Sequence, residues 1–113
     1  TLDSVFQANT TAGFSIVTYT GFGETVKTIA HGLGVIPQMI IFKSRGAAGA
    51  WHVYHQSTGN TKALYLNATD GETTDNNFLN QVTPTATLIT LGTGSGANPE
   101  NVTMVAYFYC RNI

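Results

Sequence analysis

Short runs of alternating apolar and polar residues, separated by turn residues at intervals of about 8–12 positions, predict an all-β chain. GFSIVTYTG (13–21) sets Phe14, Ile16 and Val17 against Ser15, Thr18 and Thr20. A Gly-Phe-Gly turn leads into TVKTIA, where Val26 and Ile29 flank Lys27 and Thr28. QMIIFKSR is nearly continuous in apolar residues, the pattern of a buried strand. WHVYH reads as a short strand, and KALYLN places Leu64 and Leu66 on one face and Ala63, Tyr65 and Asn67 on the other. ATLITLG and VTMVAYFYC complete the set, the last with Thr103, Val105, Tyr107 and Tyr109 opposite Val102, Met104, Ala106, Phe108 and Cys110. About eight strands follow. The one helical candidate, residues 76–82, is too short to stand alone. The expected fold is a single antiparallel β-sandwich over residues 1–113, jelly-roll-like, with residues 1–12 as an N-terminal arm or a connection to a larger fibre.

Composition narrows the function classes. Only 10% of residues are charged, the net charge is −1, and the five basic residues are scattered. A nucleic-acid surface needs clustered Lys and Arg, so nucleic acid is not an expected partner. No run approaches the roughly 20 apolar residues of a membrane-spanning helix, and no membrane insertion is expected. Threonine is the commonest residue, and Gly and Asn are abundant, as in β proteins whose strands meet in polar turns. A single cysteine, Cys110, excludes an internal disulfide and a CxxC site, and its setting in VAYFYC reads as a small apolar filler. The start at Thr1 rather than Met is what a fragment or processed product would show.

The residue types that could carry chemistry lack partners. His31 precedes Gly32, Leu33 and Gly34, but a general base needs a nucleophile or an orienting carboxylate, and GLG lacks the longer glycine pattern of a dinucleotide site. The expectation is a tight turn in which the glycines supply positive φ, Pro37 sets the start of the strand, and the imidazole bonds to backbone. His52 and His55 would point to opposite faces of a strand, so no metal site is expected from them, and no cofactor is called for. Asp70, Glu72 and Asp75 lie in a polar loop that does not match EF-hand spacing. Asn9, Asn67 and Asn101 head N-x-T triplets, which matter only on a eukaryotic secretory route. Trp51, Tyr54 and Tyr65 stand near polar loops, where aromatic faces can stack on sugars, the alternative being burial in the core or between subunits.

GFSIVTYTG, AHGLGVIPQMIIFKSR, WHVYH, KALYLN and the closing VAYFYC, in that order, resemble a module recurrent in tail-fibre and other virion proteins of bacteriophages, often found beside concanavalin-like lectin domains. The resemblance covers most of the chain from Gly13 to Tyr109 and falls on His31, Gly32, Gly34, Pro37, Trp51, Tyr54, His55, Lys62, Tyr65 and Asn67. The family pattern departs at FYCRNI, where a FAEV-like exit is usual, and at TLDSVFQANT. The resemblance implies a non-enzymatic virion β-sandwich in a surface appendage, a homotrimer beside other tail or capsid proteins, that attaches to a bacterial surface glycan. Trp51, Tyr54, His55, Asn67 and Asp70 are the expected carbohydrate contacts. The alternative is a capsid-decorating or fibre-joining domain with no receptor. A glycan depolymerase, a third reading, needs two carboxylates roughly 5–10 Å apart, and the few acids here lie mostly in turns.

Overall fold

A computed structural model describes residues 4–23, 25–49, 51–69, 71–94 and 96–110. Among these residues nine strands form, in chain order β1 (Ser4–Asn9), β2 (Phe14–Thr20), β3 (Lys27–Ala30), β4 (Met39–Ser44), β5 (His52–His55), β6 (Lys62–Tyr65), β7 (Thr73–Thr74), β8 (Leu88–Leu91) and β9 (Thr103–Tyr109). They make two antiparallel sheets, one of seven strands in the order β1-β2-β9-β4-β5-β6-β7 and one of two, β3-β8. The expected all-β sandwich therefore forms, with unequal layers. No helix forms among the described residues; 76–82 is a chain of turns that inserts Phe78 and Leu79 into the core.

The core lies between the inner face of the large sheet and a lid made by β3, β8 and their flanking loops. Val17, Ile40, Phe42, Met104, Ala106 and Phe108 come from the sheet, and Ile29, Ile89, Leu91, Leu33, Phe78 and Leu79 from the lid. Burying each large aliphatic or aromatic side chain is worth roughly 1.5–3 kcal/mol, which makes this layer contact the dominant stabilising term.

Strand β2 corrects one expectation. Its inward residues are Ser15, Val17 and Tyr19, whereas Phe14 and Ile16 face away from the core. The inversion is possible because both inward polar groups are bonded. Ser15 Oγ donates to the His31 carbonyl at 2.6 Å, and the Tyr19 hydroxyl donates to the Ala97 carbonyl at 2.5 Å. Phe14 meanwhile packs its ring on Tyr109, 5.0 Å away on the outer face. The segment expected to form an arm supplies β1, whose six residues pair in continuous register with β2.

The HGLG segment is the turn that the sequence suggests. Gly32 and Gly34 both have φ near +76° (77° and 76°). The two positions differ in their surroundings, since a Cβ at Gly32 would overlap the Phe6 ring and one at Gly34 would meet nothing within 4 Å. Gly34→Ala is expected to cost about 1 kcal/mol, the left-handed backbone penalty alone. Gly32→Ala should cost measurably more in the same denaturant titration, and Phe6→Ala in that background should bring the two glycine effects together. Equal costs for the two glycine substitutions with Phe6 in place, or an unchanged difference after Phe6→Ala, would show that the ring is not the obstacle.

Candidate functional site

His31 is the most buried ionisable side chain of the lid. Leu33 N–H donates to Nδ1 at 3.1 Å, so Nδ1 is unprotonated and Nε2–H donates to the Thr85 carbonyl, 2.9 Å away. Its ring also stacks on Phe108 at 5.4 Å. Both ring nitrogens are thus spent on backbone, with no side-chain nucleophile or carboxylate bonded to either. Burial pushes the imidazole pKa below its ordinary value, partly offset by the Thr85 carbonyl.

Asn98, which sequence reading passed over, is the second buried polar centre. Its Oδ1 accepts from Phe22 N–H at 2.6 Å, and Nδ2 faces the carbonyls of Thr25 (2.9 Å), Gly92 (3.1 Å) and Gly23 (3.4 Å). One amide therefore ties the loop between β2 and β3 to the loop between β8 and β9. Among the described residues no buried side-chain nitrogen or oxygen lacks a partner.

The expected carbohydrate contacts divide. Trp51 sits just before β5 at a corner of the outer face, 36% exposed. Its N–H donates to Asn67 Oδ1 at 3.2 Å, and its carbonyl accepts from Leu66 N–H at 3.1 Å. That exchange brings two residues sixteen positions apart onto one surface. Lys43 of β4 joins them: its Nζ lies 5.8 Å from the Trp51 ring centroid and donates to the Gly49 carbonyl at 2.8 Å. The ring thus has an ammonium over it, and the Asn67 carboxamide is fixed at the same corner through the Trp51 backbone N–H.

Tyr54 is a correction, since it is only 2% exposed and its side chain is part of the core, on the same face as Ile40. His55 stands at the other end of β5, where Nδ1 accepts from Ser57 N–H at 3.1 Å and fixes a turn. Asp70 lies outside the described residues. Alternation separates the two β5 histidines as expected: His52 packs inward against Tyr65 (4.9 Å) and Phe78 (6.0 Å), and His55 faces outward. Asp75 caps a turn through Asn77 N–H at 3.1 Å. Among the described residues no three His, Cys, Asp or Glu side chains converge on a point that could hold a metal ion.

A concavity lies elsewhere on the large sheet, on the far side of β9 and β4 from β5. It is a trough of about 660 Å³ along β1 and β2, open to solvent, with Val5, Phe14 and Ile16 beside Gln7, Asn9, Thr10 and Thr18. It has apolar and amide surface but no charged group, so it lacks the cation that marks the Trp51 corner.

Compared with known proteins, residues 1–112 match the family described as "Domain of unknown function (DUF7483)". No curated protein and no solved structure matches the chain.

Proposed function

The chain belongs to the DUF7483 family, and on that premise, which assigns no activity, we propose that it is a non-enzymatic attachment module of a bacteriophage fibre that contacts a bacterial surface glycan. The observation that carries the glycan contact is the meeting of Trp51, Asn67 and Lys43 at one corner. An indole face stacks on the C–H face of a pyranose, the carboxamide hydrogen-bonds hydroxyls, and the ammonium attracts a sugar carboxylate or phosphate. The ligand class is therefore an acidic polysaccharide. The virion setting rests on the ordered motifs from Gly13 to Tyr109.

An array of bacterial surface polysaccharides tests this reading. The intact chain should bind acidic members, and Trp51→Ala should weaken binding roughly tenfold or more, the loss of about 1.4 kcal/mol of stacking and apolar contact. Lys43→Gln should weaken acidic ligands and leave neutral ones unchanged. Full retention of binding by Trp51→Ala removes the corner from the account.

A further inference from the structure

The large sheet has two faces rich in apolar residues, and the described residues cover one of them fully and leave most of the other open. On the outer face, the register aligns residues from neighbouring strands into lateral rows. One row runs Gln7, Ile16, Tyr107, Ile41, Val53 and Leu64 across six strands. The next runs Asn9, Phe14, Tyr109, Met39 and His55, and a third runs Val5, Thr18, Val105 and Lys43. Val5 is 73% exposed and Ile16 37%, Tyr107, Ile41 and Leu64 are half-buried, and Val53, at 4%, is covered by its own chain. Strands with one solvated face normally alternate, whereas near-continuous apolar runs such as that of β4 belong to strands covered on both sides. Here the sequence has the second pattern and the monomer supplies one layer.

We infer that this outer face is covered by a second copy of the chain, sheet against sheet. Two observations favour a copy over an unlike partner. The face carries two lysines, each held at a margin: the Lys43 ammonium is drawn to the Trp51 corner and the Gly49 carbonyl, and Lys62 of β6 donates to Thr74 Oγ1 of the edge strand β7 at 2.6 Å, so the centre of identical faces can meet without like-charge contact. The size also fits. Six strands at about 4.8 Å and some six residues at about 3.4 Å give a flat area on the order of 500 Å² per copy, so stacking two removes about 1,000 Å² or more, the lower bound of stable interfaces. Trp51 then lies at the perimeter, where interfaces are polar and wet.

Sedimentation of the purified chain at about 100 µM, with folding followed by circular dichroism, tests the inference. The expected particle mass is twice 12.0 kDa, two sheets stacked face to face; a mass of three chains, which pairwise stacking of one face does not give, overturns the inference. Tyr107→Lys, at the centre of the longest row, should return the mass to that of one chain with folding intact, a loss in association of roughly 100-fold or more for a charge buried at a contact. Ile16→Lys, at a more exposed position, gives the same reading if Tyr107→Lys does not fold, and Val35→Lys on the distant lid turn should leave the mass unchanged. A monomeric wild-type chain overturns the inference, as does an oligomer that survives both Tyr107→Lys and Ile16→Lys. Glycan binding by a monomeric chain would still leave the Trp51 corner intact, so the two readings fail separately.

Discussion

Asn98→Asp is expected to lower folding stability by about 3–5 kcal/mol, a large share of the 5–15 kcal/mol typical of a domain. The substitution keeps size and shape, and Oδ1 still accepts from Phe22 N–H. What changes is the other end, where a carboxylate oxygen replaces an NH₂ that faces the carbonyls of Thr25, Gly92 and Gly23 in a fully buried site. Three acceptors then point at a fourth with no donor between them. At about 4 °C or more per kcal/mol, the melting temperature should fall by more than about 12 °C. Asn98→Ala removes the repulsion but leaves the same groups unbonded, and should fall between wild type and Asn98→Asp. A melting temperature for Asn98→Asp within about 3 °C of wild type, less than 1 kcal/mol on the same scale, would contradict the clamp.

His31→Leu should cost roughly 2–4 kcal/mol, because the new side chain fills the space while stranding Leu33 N–H in the interior and taking the partner from the part-buried Thr85 carbonyl. The histidine also predicts a pH dependence. Its folded pKa is lowered by burial, so below the ordinary value of 6.5 the unfolded chain takes up the proton first. The contribution of the neutral ring is fully present above pH 6.5 and is lost as pH falls from there toward the folded pKa. Stability should decline by up to about 1.4 kcal/mol per pH unit in that window. Denaturant melts at pH 7.5, 6.5 and 5.5 read the slope, and subtracting the His31→Leu series isolates it from His52 and His55. Identical slopes in the two series would show that His31 is not held neutral.

How much of this was legible in the sequence depends on what each side of a strand meets. The HGLG turn was readable because glycine and proline carry backbone information of their own, and Gly32, Gly34 and Pro37 act locally. The side on which each residue of β2 and β5 lies was not. Phe14, Ile16 and Val17 are all apolar, as are Val53 and Tyr54, so alternation gives no parity when both faces of a sheet are apolar. That ambiguity put Tyr54 among the surface contacts and Phe14 in the core. It has the same physical origin as the uncovered outer face.

Asn98 was missed for another reason. Asn before Pro in a Gly-rich stretch reads as an exposed turn, and only the packing of the 21–25 and 92–98 loops buries it. Phe78 and Leu79 escaped similarly, as core residues carried by turns without periodicity. Residues 4–9 gave no strand signal because SVFQAN hardly alternates; its pairing with β2 makes it a strand. At the Trp51 corner, Trp51 and Asn67 were readable as types, while Lys43 was not, since its approach depends on the β4–β5 register.

The attachment reading stands or falls on where a glycan touches the chain. The most direct measurement is a ¹H–¹⁵N NMR titration of the labelled chain with an acidic bacterial polysaccharide fragment selected on the array. The account predicts saturable shifts of the Trp51 indole N–H and the Asn67 side-chain amide, with the Gln7 and Asn9 amides of the β1–β2 trough unmoved. Shifts confined to Gln7 and Asn9, or none at Trp51 and Asn67 at saturating ligand, would contradict it.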